Sequence, residues 1–405
     1  MTAVQQRKFS GTFTQQEPIP EDAIAAAVEV MRSGRLHRYN AAPDETPQAA
    51  HLEREFAAWQ GARYCLATTS GGSALQIALR AVGVASGDKV LTNAFTLAPV
   101  PGAIHAVGAR PVLVEITEDL VIDLDDLAAR ARETGARWLM LSLMRGHMPD
   151  MDRVMEVARA HGLTVIEDCA HTMGARWRGR PSGSFGAAGC FSTQTYKHLN
   201  SGEGGFVVSE DAQIMARAIV MSGSYMLYER HGAAPPPEAF ADIRLEVPNL
   251  SARMDNLRAA ILRPQLARLD DNIARWNRRH EALEEVLRRS PALCLPARPD
   301  GALRVGSSIQ FRLPGIAAQG ARRFLEAATA RGVEIKWFGA SEPAGYTSTH
   351  HSWRYMPAQA LPRTDAILSE LFDMRIPLTF SVADCRLIGE IIAEEAGALA
   401  EEATP

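Results

Sequence analysis

Short apolar runs alternate with helix-period segments between about residues 60 and 220. The apolar runs predict six strands: KVLTNAF, RPVLVEI, RWLMLSL, LTVIEDC, AGCFSTQ and GGFVVSE. The segments that separate them repeat apolar residues three and four positions apart, which predicts helices: SALQIALRAVG, PVPGAIHAVG, LDDLAARARETG and DMDRVMEVARAHG. Strands that are apolar on both faces and alternate with helices favour a mostly parallel sheet with helices on both faces. This region is therefore predicted to be α/β.

The rest of the chain is organised differently. AAPPPE interrupts the pattern and predicts a loop, and the segment from Ser251 to about Arg289 is helical, with Pro264 expected to kink or split it. Beyond it, SSIQFRLPG and GVEIKWF predict strands, while ARRFLEAATARG and LIGEIIAEEA predict helices. We therefore expect a large domain with an N-terminal arm, a connecting helical segment and a smaller C-terminal α+β domain, over residues 1–250, 251–290 and 291–405.

Composition excludes several classes of protein. The 405 residues are 46% hydrophobic and 22% charged, which is typical of a globular protein with a substantial core, and the net charge of −4 calls for neither nucleic acid nor an anionic membrane as a partner. No apolar run approaches the roughly 20 residues of a membrane helix, and MTAVQQRKFSGTFTQQEP lacks the apolar stretch of a signal peptide. Five scattered cysteines without a CxxC pair indicate reduced thiols, so we expect a cytoplasmic protein.

Lysine is unusually rare in this chain. Only four of the 43 basic residues are lysines, so a lysine near the interior invites a chemical explanation that arginine does not satisfy. Lys197 lies in STQTYKHLNSGEGGFVVSE, between an apolar strand and a glycine-rich turn. An ammonium group there is paired, exposed on a loop, or lowered in pKa for nucleophilic work.

Two polar residues follow the strand LTVIEDC. Asp168 ends that strand, and ligands of parallel α/β sheets collect at the carboxyl ends of strands. A carboxylate there can keep the ring nitrogen of pyridoxal phosphate protonated, although it can also simply cap a helix. His171, three residues later, can contact the same cofactor or can be a structural histidine.

The segment ATTSGGSALQIALRAVG offers a third feature. Small residues and two glycines open directly into an amphipathic helix, which leaves backbone N–H groups free to bind phosphate at its N-terminus. The segment is neither a P-loop nor GxGxxG, which argues against nucleotide binding.

These three features occur in an order that resembles the DegT-type sugar aminotransferases, pyridoxal-phosphate enzymes of fold type I. The resemblance covers most of the chain and is loose only over the last hundred residues. It rests on these segments: SGRLHRYN, LEREFAAWQGARYCLATTSGGSALQIAL, RGHMPDMD, VIEDCAHTMGA, GCFSTQTYKHLNSGEGG and ARMDNLRAAILRPQLARLD.

The resemblance implies roles for individual residues. Lys197 would form an imine with the cofactor, Asp168 would pair with the pyridine nitrogen, and His171 would lie beside the ring hydroxyl. The phosphate would be bound by the backbone of Gly72 and Ser73 and by the hydroxyl of Ser192.

The resemblance also implies a homodimer with shared active sites. In this family the RMDNLRAA region reaches the neighbouring subunit, which makes Arg253 a candidate for binding a substrate carboxylate, unless it is an ordinary solvated charge. Ser251 stands where the family has a phosphate-binding asparagine, and Asn249 lies nearby. Leu97 replaces an aromatic residue that stacks on the cofactor, and Leu143 replaces a histidine. Because none of these departures changes Lys197, they affect the expected substrate more than the expected reaction.

We therefore predict a pyridoxal-phosphate-dependent aminotransferase. It would move an amino group from glutamate or glutamine to a keto group of a sugar, cyclitol or similar intermediate, with Lys197 as general base and acid. The alternatives are another reaction of the same cofactor, such as elimination or dehydration, and a non-catalytic regulatory protein of the same fold. No metal is expected, because the spacing of His147, His350 and His351 fits no known ligand pattern.

Overall fold

The computed structural model describes residues 7–42 and 44–402, without the side chain of Glu402. The stretch in which no signal peptide is expected therefore lies partly outside the described residues. Twelve α-helices are present in the described chain: α1 (Glu21–Ser33), α2 (Gln48–Gln60), α3 (Gly71–Ala81), α4 (Pro99–Ala106), α5 (Leu124–Thr134), α6 (Met151–Ala160), α7 (Ala212–Ser222), α8 (Asn256–Leu266), α9 (Leu269–Leu287), α10 (Ala318–Ala330), α11 (Pro362–Ser369) and α12 (Val382–Glu402).

The same residues form thirteen strands, four of them only two residues long. These are β1 (Tyr64–Thr68), β2 (Lys89–Asn93), β3 (Arg110–Val114), β4 (Trp138–Ser142), β5 (Thr164–Asp168), β6 (Arg176–Trp177), β7 (Arg180–Pro181), β8 (Ala188–Ser192), β9 (Gly205–Ser209), β10 (Ala302–Leu303), β11 (Ser308–Arg312), β12 (Lys336–Trp337) and β13 (Leu371–Arg375).

A seven-stranded sheet forms the centre of the molecule, in the order β1-β9-β8-β5-β4-β2-β3. Strands β2, β3, β4, β5 and β8 pair in parallel, whereas β9 runs antiparallel to both of its neighbours, β8 and β1. One apolar cluster packs α2, α5, α6 and α8 on one face, and another packs α3, α4 and α7 on the other. The predicted α/β fold is confirmed, and all six predicted strands exist. Strand β1 was not predicted.

The connecting helical segment is split in two, as its proline suggested. Helix α8 begins at Asn256, later than expected, because the carboxylate of Asp255 caps it by accepting the N–H of Arg258. Pro264 remains inside α8, and the helix ends two residues later at Leu266, before α9 begins at Leu269. The division of the chain at residues 250 and 290 stays a prediction.

A three-stranded antiparallel sheet, in the order β11-β13-β12, forms with α10 and α12 the C-terminal core. SSIQFRLPG supplies β11 as predicted, GVEIKWF supplies only the two residues of β12, and the central strand β13 was not predicted. Phe9 and Phe13 from the N-terminal arm also pack in this core, with ring centroids 4.7 and 4.9 Å from that of Phe380. Within the described residues, no helix combines the length and apolar character needed to cross a membrane.

Candidate active site

A cavity of about 310 Å³ opens at the carboxyl edge of the central sheet. Strands β4, β5 and β8 end there together because they run in parallel, and the start of α3 lies beside them. Six residues singled out from the sequence line this cavity: Gly72, Leu97, Asp168, His171, Ser192 and Lys197. The fold thus brings together side chains that are far apart in the sequence.

The first turn of α3 forms one end of the cavity. Ser70 caps the helix, since its Oγ accepts the N–H of Ser73 at 3.0 Å and its carbonyl accepts the N–H of Ala74. The N–H groups of Gly71 and Gly72 precede the first helical carbonyl they could bond and point out of the helix end. A Cβ on Gly71 would lie 2.8 Å from the Cβ of Ser192, so glycine lets this serine approach the helix end. The arrangement suits an anion.

Ser73, which the resemblance assigned to the phosphate, makes its hydrogen bonds within the start of α3. Its N–H is already donated to Ser70, and its hydroxyl lies 3.0 Å from Thr69 Oγ1 and 2.9 Å from Ser70 Oγ. It belongs to the capping network and is not part of the cavity wall.

Asp168 lies buried at the end of β5. Its Oδ2 accepts a hydrogen bond from the hydroxyl of Ser142 at 3.1 Å, and its Oδ1 accepts the N–H of Ala170 at 3.2 Å. Burial raises the pKa of this carboxyl, while the positive charge of Lys197 opposes the rise. A cationic ring nitrogen in the cavity would stabilise the charged carboxylate further.

Lys197 projects into the cavity from the loop after β8. Its Nζ lies 2.9 Å from His171 Nε2. Burial and the nearby cation of Arg145 lower the pKa of Lys197 to about 7, against the opposing effect of Asp168. The pKa of His171 is held well below its usual value, mainly by burial, so this histidine is neutral near pH 7. A large fraction of Lys197 is therefore a free amine at neutral pH, as a nucleophile requires.

The two leucine departures have different locations. Leu97 lines the cavity and is half-buried, so it offers an aliphatic contact where an aromatic ring was expected. Leu143 is buried in the apolar cluster on one face of the central sheet and does not line the cavity.

Ser251 and Arg253 do not line the cavity of their own chain. Ser251 is exposed and donates both its N–H and its hydroxyl to the Oδ1 of Asn249, at 2.9 and 3.3 Å. Arg253 donates to the carbonyl of Gly223 at 3.0 Å, and its guanidinium lies 5.8 Å from the ring centroid of Tyr225.

Several residues of the cavity wall were missed by sequence reasoning. Arg145 has a left-handed backbone (φ 56°) and forms a 2.6 Å ion pair with buried Asp373. The guanidinium carbon of Arg375 lies 3.7 Å from the ring centroid of Tyr196, and Lys336 completes this side of the cavity. Burial lowers the pKa of Lys336 to about 8. The scarcity of lysine pointed to Lys336 as much as to Lys197, but no motif surrounds it.

The three histidines considered for a metal do not share one site. His350 and His351 both lie within hydrogen-bond distance of Asp365 Oδ1, at 2.7 and 2.8 Å. His147 lies instead against Gln310 Oε1, also at 2.7 Å. The ligand atoms of His350, His351 and Asp365 lie within 4.8 Å of one another, a grouping that could hold a metal ion, and the expectation of no metal stays a prediction.

The chain is similar in sequence to known proteins over most of its length. The chain is 32% identical over 322 residues to L-glutamine:scyllo-inosose aminotransferase of Streptomyces griseus, which covers 77% of this chain and 74% of that relative. It is 31% identical over 314 residues to the pleiotropic regulatory protein of Geobacillus stearothermophilus, covering 74% and 76%.

A solved structure has the same overall fold. The crystal structure of 3-amino-5-hydroxybenzoic acid synthase superposes with a TM-score of 0.82 at 25% identity, over 96% of this chain and all of that one. The family model of the DegT/DnrJ/EryC1/StrS aminotransferases matches residues 18–392, which is nearly the whole chain. The protein therefore belongs to the DegT/DnrJ/EryC1/StrS aminotransferase family.

Proposed function

We propose that this protein uses pyridoxal phosphate to transfer an amino group from glutamine or glutamate to a keto group of a sugar or cyclitol. The observation that carries the proposal is the position of Lys197, whose amine faces a cavity between buried Asp168 and the N-terminus of α3. The relative from Streptomyces griseus is named for glutamine and scyllo-inosose, which supports this class of donor and acceptor.

The residues of the cavity fit the cofactor. Gly71 and Gly72 offer N–H groups to the phosphate beside the hydroxyl of Ser192, Asp168 suits the ring nitrogen, and Lys197 suits a covalent bond to the aldehyde carbon. When bound, pyridoxal phosphate supplies an electron sink that stabilises negative charge on the carbon bearing the amino group.

The chain's own groups then handle the proton. As a free amine, Lys197 Nζ would accept a proton from the donor's Cα and give it up again within the cavity, because its pKa of about 7 is close to neutral pH. Neutral His171, 2.9 Å away, fixes the position of this amine. Asp168 would hold the ring nitrogen of the cofactor and, as a carboxylate, would keep that nitrogen protonated.

A transfer of labelled nitrogen tests the function directly. The holoenzyme is incubated with L-glutamine carrying ¹⁵N in its α-amino group and with scyllo-inosose, and the product is examined by mass spectrometry. We expect the label in an aminocyclitol, and none with Lys197→Ala. Release of water from the acceptor without labelled product would indicate elimination. Cofactor bound at Lys197 that exchanges no nitrogen with any of the twenty amino acids would favour a regulatory role, as the name of the Geobacillus relative suggests.

We also propose a homodimer in which each cavity is completed by the other subunit. Beside Arg253, a group of large apolar side chains is exposed on the surface: Tyr225, Met226, Leu227 and Leu250. Exposed apolar groups of this kind mark interfaces. A second copy on this face would cover them and would bring Ser251 and Arg253 towards its cavity, where the resemblance assigns them.

Complementation between two inactive variants tests the shared site. Lys197→Ala and Arg253→Ala are mixed under conditions that exchange subunits. With shared sites, each mixed dimer has one intact cavity, so recovery of about a quarter of wild-type activity is expected from random pairing. No recovery despite demonstrated exchange would mean that both residues act within one chain.

A cytoplasmic location completes the proposal. All five cysteines are free thiols, and four of them are buried. Thiols persist in this form in reducing compartments.

A further inference from the structure

The small sheet of β11, β13 and β12 has two chemically different faces. One face is apolar and packs in the C-terminal core, with Ile309, Phe311, Trp337, Phe372 and Met374. The strand register places the following polar residues on the opposite face: Ser308, Gln310, Arg312, Lys336, Asp373 and Arg375. Arg312 forms ion pairs with Glu118 and Glu370, so its charge is compensated. Such a polar face would ordinarily meet water, but here Ser308, Gln310 and Asp373 are buried, and Lys336 and Arg375 reach the cavity wall.

The charges on this face do not balance. Asp373 uses one carboxylate oxygen to pair with Arg145 Nη2 at 2.6 Å and the other to accept from Gln310 Nε2 at 2.8 Å. Lys336 and Arg375 have no ion pair within 4.0 Å of any residue in the described ranges. The negative charges of Asp373, which is opposite Lys336 in the strand register, and of Glu334 act on Lys336 only from beyond ion-pair distance. Two cations therefore face the cavity without an ion-pair partner.

Both cations lie within electrostatic reach of the reacting amine. The positive charges of Lys336 and Arg375 each contribute to the lowered pKa of Lys197. The carboxylates of the cavity wall are Asp168, held by Ser142 and Ala170, and the exposed Glu203. An uncompensated pair of cations in a partly buried cavity favours an anionic ligand.

We propose that Lys336 and Arg375 form an anion-binding subsite that holds a carboxylate or phosphate group of a substrate on the small-sheet side of the cavity. The proposal rests on the proposed function, because it concerns a substrate of the same site. Arg375 lies over the ring of Tyr196, which restrains its guanidinium for bidentate contact with an oxyanion. Lys336 supplies a second, compact charge. A neutral cyclitol would leave both charges uncompensated.

The anionic group has two possible sources, the α-carboxylate of the amino donor and an acidic group on the keto acceptor. Calorimetric titration of the holoenzyme with glucuronate, glucose 6-phosphate and neutral glucose examines the acceptor. Single-turnover kinetics with L-glutamine examine the donor. The variants are Lys336→Gln, Arg375→Gln and the double variant. Lys89→Gln is the matched control, because Lys89 is exposed and its amine donates only to the carbonyl of Thr134.

If the acceptor carries the acidic group, the wild type binds glucuronate or glucose 6-phosphate at least about tenfold more tightly than glucose. The double variant then loses this preference, while its dissociation constant for glutamine is unchanged. If the donor carboxylate is held, the dissociation constant of glutamine rises at least about tenfold in the double variant. Either result supports the subsite and identifies its ligand.

The proposal is overturned if every dissociation constant of a folded double variant stays within about twofold of the wild type. Arg375→Lys retains the charge and should restore part of the affinity, which separates binding from a structural effect. The titration measures binding and requires no nitrogen transfer. The subsite proposal can therefore fail while amino transfer is observed, and amino transfer can fail while the subsite still binds its anion.

Discussion

The two sheets that border the cavity contribute to it in different ways. Strands of the seven-stranded sheet are buried along their length and offer functional groups only where they end, at Asp168 and Ser192. The three-stranded sheet turns one polar face towards the cavity, through Lys336 at the start of β12 and Arg375 at the end of β13. The large sheet thus supplies the residues that suit the cofactor, and the small sheet supplies charges that suit a substrate. We expect changes in the large sheet to affect the chemistry and changes in the small sheet to affect binding and stability.

The largest effect is expected from the two lysines. Lys197→Ala should abolish amino transfer and the covalent adduct that borohydride traps, because no other amine occupies its place beside His171. Lys336→Ala should keep the adduct on Lys197, since Lys336 belongs to the small sheet. Peptide mapping by mass spectrometry checks both. An adduct trapped on Lys336 in the wild type would contradict this division of roles.

Asp168→Asn should lower the rate of amino transfer by at least about a hundredfold, because the ring nitrogen loses its charged partner. The fold should be preserved, because asparagine has nearly the same size and its one amide oxygen can still accept the N–H of Ala170, while its amide N–H₂ would donate to the hydroxyl of Ser142 instead of accepting from it. Ser142→Ala is the control and should cost about tenfold at most. A rate for Asp168→Asn within about tenfold of the wild type would show that the assigned role is wrong.

Asp373→Asn should lower the free energy of unfolding by about 3 kcal/mol, because it leaves the buried cation of Arg145 without its partner. Urea denaturation measures this change. Asp152→Asn breaks an ion pair with Arg178 whose side chains are both more than half exposed, and should cost less than about 1 kcal/mol. Equal losses of unfolding free energy in the two variants would show that the buried ion pair of Asp373 stabilises the protein no more than an exposed one.

The smallest effect concerns pH. In the wild type, the rate at which the apoprotein captures pyridoxal phosphate should rise as pH increases through about 7, because only the unprotonated amine of Lys197 reacts. The charged or titratable groups that face this amine are Arg145, Asp168, His171, Lys336 and Arg375.

Lys336→Gln removes one positive neighbour, so the ammonium form of Lys197 becomes easier to keep and its pKa rises. The midpoint of the rate profile should therefore move to higher pH, and capture at pH 7 should be slower. A midpoint that stays in place or moves to lower pH would contradict the coupling between the two sheets.

The difference between the sheets also explains what sequence could predict. Asp168, Lys197 and the start of α3 lie in continuous motifs next to recognisable strand ends, so their meeting at one edge follows from a parallel sheet. Lys336 and Arg375 lie on short strands that mix apolar and polar residues. Whether these two side chains reach the cavity depends on which face of the small sheet packs against the C-terminal core. Arg145 has a left-handed backbone conformation, which no pattern in the neighbouring sequence predicts.

The N-terminal arm has a consequence for how the molecule is made. Phe9 and Phe13 are synthesised more than 360 residues before Phe380, the ring they pack against. The C-terminal core therefore cannot close before Phe380 has left the ribosome, and until then both phenylalanines lack this partner. Contacts of such large sequence separation also form slowly, so the appearance of Phe380 sets only the earliest moment at which this core can be finished.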